Sequence, residues 1–247
     1  MKLKISNKQI IIILVAVLLI AFTGLFISYR LSNGNILDNF NEISEDKSKV
    51  ITDSKQENRN LQEEVIAKNK NYADVKAWIK VPGTSIDSPV FQTNNNDRYL
   101  RNDKDNNQTR WGENFLDYRC DINNIDKSMQ HYIIYGHNTE IDTRFTPLLN
   151  YKKNSYYDEH KYVEFATLNG SYKFEIFSAY STNTDFYYID TTFRNIDEYG
   201  TYLQTLKSKS EYDTKVEITK EDTILTLSTC DYDIVNGRYV VHAKLVK

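Results

Sequence analysis

The C-terminal stretch TLSTCDYDIVNGRYVVHAKLVK places one cysteine at the end of an apolar run and an arginine eight residues later. In ILTLSTC, strand alternation puts Leu225 and Leu227 on one face and Thr226, Ser228 and Cys230 on the other. The loop DYDIVNG then returns the chain to RYVVHAKLV. If the two runs pair antiparallel, Cys230 and Arg238 flank the same loop and face one another at one rim of a sheet. A cation beside a thiol favours the thiolate, which is the nucleophile. It also stabilises an oxyanion formed on an attacked carbonyl. The plain alternative is a small buried side chain beside a surface arginine.

Acyl transfer through a thiol needs a proton carrier for the departing amine, a role that histidine fills most often. The sequence offers four histidines. His131 opens a strand, His160 sits in a polar loop, and His242 lies inside a strand on the Arg238 side by alternation. His137 ends the apolar run YIIYGH behind Gly136, a permissive position that suits a site residue. No His, Cys or carboxylate cluster has metal-ligand spacing, so no metal is expected.

The elements around these residues read mainly as strands. NFLDYRC (114–120), HYIIYGH (131–137), KYVEFAT (161–167), SYKFEIFSAYS (171–181), DTILTLSTC (222–230) and GRYVVHAKLV (237–246) are rich in Tyr, Phe, Ile and Val and bounded by turn residues. LNG at 168–170 reads as a hairpin turn. In WIKVPGTSIDSPV, Pro82-Gly83 marks a turn between two extended runs. Leu61, Val65, Tyr72 and Val75 recur at roughly helical spacing and predict an amphipathic helix over about 56–77. A helical segment is expected near Phe145–Tyr151. Another is expected over Ile196–Lys207, with Ile196, Tyr199, Leu203 and Leu206 on one face and Asn195 as its cap. The fold class is mainly β, a barrel-like domain with peripheral helices.

Compartment follows from the N-terminus. Lys2, Lys4 and Lys8 precede an uncharged apolar run from Ile10 to about Ile27, long enough to cross a hydrocarbon core. The lysines favour a cytoplasmic N-terminus, with the rest of the chain outside the membrane. This gives a single-pass anchor within 1–30, a polar stalk over 31–55 and a folded domain over 56–247. Beyond residue 30 the chain holds 27 Lys and Arg against 34 Asp and Glu, a formal charge of −7. That balance argues against nucleic-acid binding, which needs a basic footprint. Two cysteines, Cys120 and Cys230, are too few for a disulfide-built scaffold, so the domain must stand on its core.

TLSTC followed by GRYVVHAKLV, with YGHN upstream, resembles the sortases, membrane-anchored cysteine transpeptidases of Gram-positive bacteria. The resemblance extends from about Ala77 to Lys247. The helix between the last long strands and the N-terminal helix resemble class B in particular. The resemblance implies a closed sortase-type β-barrel and no cofactor. It makes Cys230 the nucleophile, His137 the general acid/base and Arg238 the oxyanion or substrate-carbonyl partner. NDRYL resembles a class B stretch lining the sorting-motif groove, which points to Asn96 and Leu100. TDFYYI resembles the groove wall, which points to Thr184, Tyr188 and Ile189. Tyr135, Ser228 and Asp231 adjoin the catalytic positions and are further substrate-binding candidates.

The partners implied are secreted proteins bearing an NPQTN-like or SPKTG-like C-terminal sorting motif, and a peptidoglycan precursor amine of lipid II type. The implied location is the cell membrane, with the catalytic domain extracellular. Two other classes stay open at this point: a surface thiol hydrolase, and a catalytically silent peptide-binding module. Cys120 has no counterpart in the matched motifs and reads as a bystander.

Overall fold

In a computed structural model of the chain, residues 59–247 are described, apart from 126 and 140. The apolar run Ile10–Ile27, the stalk over 31–55 and the first residues of the expected N-terminal helix lie outside the described residues. Among the described residues no helix is long and apolar enough to cross a membrane.

Alternating apolar residues carry the chain around a closed barrel of eight strands. These are β1 (Val75–Lys80), β2 (Asp87–Phe91), β3 (Phe115–Leu116), β4 (His131–Tyr135), β5 (Tyr162–Thr167), β6 (Gly170–Asn183), β7 (Ile224–Asp231) and β8 (Gly237–Leu245). Around the barrel the order is β1-β2-β3-β4-β7-β8-β6-β5, and β5 closes on β1. The mainly β barrel expected from the sequence is therefore the fold observed. Leu225 and Leu227 of β7 point into the barrel with Ile134, Phe165, Phe174 and Val241. The opposite faces of β7 and β8 point outward, where helix α4 (Ile196–Ser208) covers part of them.

Several local expectations hold. The Pro82-Gly83 turn joins β1 to β2, and Gly83 takes the positive φ of 79° that the turn needs. Thr167 pairs with Gly170 across the Leu168-Asn169 hairpin. Asn195 caps α4 by accepting from the N–H groups of Asp197 and Glu198, and the helix buries Tyr199, Leu203 and Leu206. Each of these apolar burials stabilises the docked helix by roughly 1.5–3 kcal/mol.

Others are corrected. The N-terminal helix, α1, spans only Leu61–Asn69, and Val75 and Ala77 belong to β1. Asn60 caps its start, and Leu61 and Val65 pack on Trp78 and Ala166. Past Lys70 the chain turns, and the Asn69 side chain ties down the carbonyls of Ala73 and Val75. The strand expected over 114–120 is reduced to Phe115–Leu116, because the chain folds back from Asp117 to Cys120 through a backbone bond of 3.0 Å. Near 145–151 the helix is of the tighter 3₁₀ type, Thr146–Lys152. Two short helices were not expected, α2 (Arg98–Arg101) and α3 (Asn154–Glu159).

The outward face of β7 and β8 carries a buried polar chain. Tyr180 Oη lies 2.9 Å from His242 Nε2, and His242 Nδ1 lies 2.6 Å from Thr226 Oγ1. Thr226 Oγ1 lies 2.6 Å from His131 Nε2, and His131 Nδ1 donates to the Asp190 carbonyl at 2.7 Å. With both rings neutral, every donor in this chain meets one acceptor: Tyr180 to His242, His242 to Thr226, Thr226 to His131, His131 to Asp190. Burial pushes the His131 imidazole down to about 4, and His242 well below its ordinary value.

A group held neutral in the fold but free to charge when unfolded favours unfolding as pH falls below its unfolded pKa of 6.5. The urea midpoint should therefore drop as pH falls from 6.5 towards 5. His131 alone accounts for a loss of roughly 2 kcal/mol by about pH 5, and His242 acts in the same direction. A midpoint that stays flat across that interval would show that one or both rings are already charged in the folded protein.

Candidate active site

Strand register brings the three chemical groups together. Strand β4 runs parallel to β7 with Tyr135 opposite Ser228, and the Gly136 N–H donates to the Ser228 carbonyl at 3.1 Å. Two residues beyond this pair, past the end of β4 and near the end of β7, His137 and Cys230 line one cleft. Asn138 Nδ2 donates to the Cys230 carbonyl at 3.2 Å and fixes this approach. A Cβ on Gly136 would overlap the Asn114 side chain and the Phe145 ring, so glycine is required where β4 ends. Strand β8 pairs antiparallel with β7, and Cys230 and Arg238 are direct cross-strand partners. The arrangement expected from the loop DYDIVNG is thus the one observed.

His137, Cys230 and Arg238 line one cleft of about 350 Å³ on the outside of the barrel wall. His137 Nε2 donates to the Leu100 carbonyl at 2.8 Å. A carbonyl only accepts, so Nε2 carries the hydrogen and the neutral ring keeps its lone pair on Nδ1. Burial pushes the His137 pKa below its ordinary value, and Arg101 and Arg144 add to this. The Leu100 carbonyl opposes them. The guanidinium of Arg238 is steadied at the rim by the Gly237 carbonyl, 2.8 Å from Nη1. Cys230 is partly exposed and forms no disulfide. A partly exposed thiol, an imidazole with a free nitrogen and a guanidinium on one cleft can attack a carbonyl, move the proton and hold the oxyanion.

Among the other expected residues, Leu100, Tyr135, Thr184, Tyr188, Ile189 and Ser228 line the same cleft. Tyr188 and Ser228 share a hydrogen bond of 2.8 Å between their hydroxyls. Asn96 and Asp231, also expected to bind substrate, are not among the lining residues of this cleft. Asn96 is spent on structure: Nδ2 donates to Asp117 and Oδ1 accepts from the Tyr118 N–H, each at 3.0 Å. Asp231 is buried against Lys152 at 2.9 Å and accepts from Ser181 at 2.8 Å, which pins the β7–β8 loop. Phe115, Phe186, Tyr187 and Thr229 also line the cleft and were not expected. The aromatic run DFYYI was the available signal for Phe186 and Tyr187.

A second unforeseen group is Asp117 with Arg119. Asp117 is fully buried, and Arg119 clasps it through Nε and Nη2, both at 2.8 Å. Burial alone would raise the Asp117 carboxyl. Hydrogen bonds from Arg119, Tyr135 and Asn96 outweigh burial and bring the pKa down to about 2. The alternation Asp117-Tyr118-Arg119 is the available signal for the pair, but it fits a plain strand equally well.

The remaining polar candidates serve elsewhere. His160 Nδ1 lies 2.9 Å from the Pro82 carbonyl, and His131 and His242 belong to the buried chain described above. Cys120 is buried, and desolvation pushes its thiol up to about 12. Among the described residues, no three His, Cys, Asp or Glu side chains are grouped to hold a metal ion.

A barrel-wall cleft with this residue set defines a cysteine acyl-transfer site. The family model described as the sortase domain matches residues 79–246, and the chain belongs to that family, whose members are cysteine transpeptidases. Its relatives place it with class B. It is 35% identical over 241 residues to sortase B of Staphylococcus aureus (strain NCTC 8325 / PS 47), covering 96% of each protein. The solved Staphylococcus aureus sortase B–substrate complex matches with a TM-score of 0.70 at 35% identity, over 83% of this chain and 94% of that one. Clostridium perfringens sortase B matches with a TM-score of 0.68 at 36% identity, over 72% of this chain and 97% of that one.

The contrast between the two thiols gives a direct check. Iodoacetamide at about pH 8 should place one adduct per folded chain, on Cys230. Cys120 should react only after denaturant is added, since the thiolate is the attacking form. Peptide mapping by mass spectrometry reads the site, and early labelling of Cys120 would contradict its burial.

Proposed function

We propose that this sortase cleaves a C-terminal sorting motif after its threonine and joins the new carboxyl end to a cell-wall amine. The observation that carries the reading is the row of His137, Cys230 and Arg238 on one cleft. Cys230 Sγ attacks the threonine carbonyl, and Nδ1 of His137 takes the thiol proton. Arg238 faces the oxygen that gains charge. As the C–N bond breaks, His137 returns the proton to the departing amine, leaving a thioester on Cys230. An acceptor amine then attacks the thioester, His137 takes its proton, and the Cys230 thiolate leaves as the new amide forms.

The wall of Thr184, Tyr188 and Ile189 and the floor of Tyr135 and Ser228 are the proposed seat of the sorting peptide. The sorting motif is NPQTN-like or SPKTG-like, and the acceptor is a peptidoglycan precursor amine of lipid II type. The similar sortase B of Staphylococcus aureus forms a complex with substrate, which supports substrate binding by this chain as well. The uncharged run Ile10–Ile27 supports a single-pass tether, with the lysines before it on the cytoplasmic side and the catalytic domain outside. A tether of this kind raises the effective concentration of the enzyme at the surface where substrates emerge.

The full chain should be incubated with NPQTN-, SPKTG- and LPxTG-type peptides, each with and without a glycine peptide or diamine. Mass spectrometry should find a peptide adduct on Cys230 and, with amine present, a ligated product. Cys230→Ala should form neither. Arg238→Lys should lower kcat by roughly 10²–10³-fold, the cost of removing one oxyanion donor. Cleavage without any amine-linked product would make the protein a thiol hydrolase instead.

A further inference from the structure

The cleft wall between β6 and α4 has no ladder of its own from residue 184 to 195. Three consecutive carbonyls in it are held by side chains from other elements. Tyr202 Oη donates to the Tyr188 carbonyl at 2.5 Å, Arg119 Nη2 to Ile189 at 3.1 Å, and His131 Nδ1 to Asp190 at 2.7 Å. Arg119 differs from the other two because it also donates to the Tyr187 hydroxyl, through Nη1 at 3.1 Å. It therefore grips two residues that line the cleft, Tyr187 and Ile189, while it does not line the cleft itself.

What Arg119 stands on connects the opposite side. Its carboxylate partner, Asp117, also accepts from the Tyr135 hydroxyl at 2.9 Å and from Asn96 Nδ2 at 3.0 Å. Tyr135 forms the cleft floor, and Asn96 lies in the segment that leads into α2. That segment ends near Leu100, whose carbonyl orients His137. One buried carboxylate and one guanidinium thus link the wall, the floor and the flank of the cleft. The planar five-donor fork of arginine can serve a bidentate carboxylate, a carbonyl and a hydroxyl at once, and the point charge of lysine cannot.

We propose that Arg119, seated on Asp117, is a positioning residue that sets the width of the acyl-donor groove and so the affinity for the sorting peptide. This rests on the reading of the cleft as the sorting-peptide seat. The clamp acts on the wall that the donor meets, while the reacting row of His137, Cys230 and Arg238 is fixed by strand pairing. Its loss should therefore weaken donor binding and leave the chemical step.

The test uses the full chain and two variants, Arg119→Lys and Tyr187→Phe. The first removes the fork and keeps the charge beside Asp117. The second removes only the hydroxyl that Arg119 holds, on a half-exposed ring, so the fold survives it. Kinetics with the best peptide of the panel and a fixed amine should show a raised donor KM for both. The rise should be roughly tenfold to a hundredfold for Arg119→Lys and smaller for Tyr187→Phe, with kcat and the acceptor KM within about twofold of the parent. Peptide affinity measured in a Cys230→Ala background should fall in parallel, which separates binding from chemistry.

A substitution that merely lowered the folded fraction would depress kcat and spare the donor KM, and that outcome overturns the proposal. Unchanged donor KM and affinity in both variants overturn it as well, with the functional reading intact. If the parent chain neither processes nor binds any peptide of the panel, the functional reading falls and the clamp falls with it.

Discussion

The hydrogen-bonded register of three neighbouring strands is the constraint on which the site depends. Strand β7 lies between β4, its parallel partner, and β8, its antiparallel partner. Because strand alternation has a period of two, a slip of one residue in either pairing would turn Cys230 away from His137 or from Arg238. The inward residues of the same strands guard against such a slip. Leu225, Leu227 and Val241 fill the barrel, and moving them outward would expose a row of core side chains. Core packing and catalytic geometry are two faces of one register.

The outer faces of these strands solve a different problem. A cleft on a barrel wall must be roofed by a segment with no ladder, and its backbone groups still need partners. Here polar side chains from several distant elements supply them. The chain from Tyr180 through His242, Thr226 and His131 ends on the carbonyl of Asp190, and Arg119 and Tyr202 hold the two carbonyls before it. Buried histidines that look like candidates for chemistry are thereby committed to holding the roof. Their pKa values are low because burial disfavours the charged ring, and for His131 the bond to the Asp190 carbonyl opposes that shift without overcoming it.

What the sequence disclosed and what it hid divide along a physical line. Cys230 and Arg238 were legible because strand alternation and one short loop fix their relation locally, whereas His137, more than ninety residues away, was singled out by the family resemblance. Most groove residues followed from neighbouring motifs. Arg119 was not legible, because its partners Tyr187 and Ile189 are about seventy residues away and accept through a hydroxyl and a backbone carbonyl; Asp117 was not, because its partners Asn96 and Tyr135 come from separate elements. The ties of Asn96 to Asp117 and of Asp231 to Lys152 were hidden for the same reason, since each joins segments far apart in the chain. The helix expected over 56–77 is too long for a related reason. Val75 matches a helical spacing, but its pairing with Phe91 and its place beside Tyr99 decide its conformation.

The parallel pairing of β4 with β7 has a consequence for the birth of the enzyme. His131 meets Ile224 across more than ninety residues of chain, and His137 and Cys230 are as far apart in sequence. Loops of that span close late, after local hairpins such as β5–β6 have formed. Cys230 and His137 therefore stay apart while the polypeptide is still extended. The cleft that His137, Cys230 and Arg238 share is complete only once the last strands of the barrel have paired.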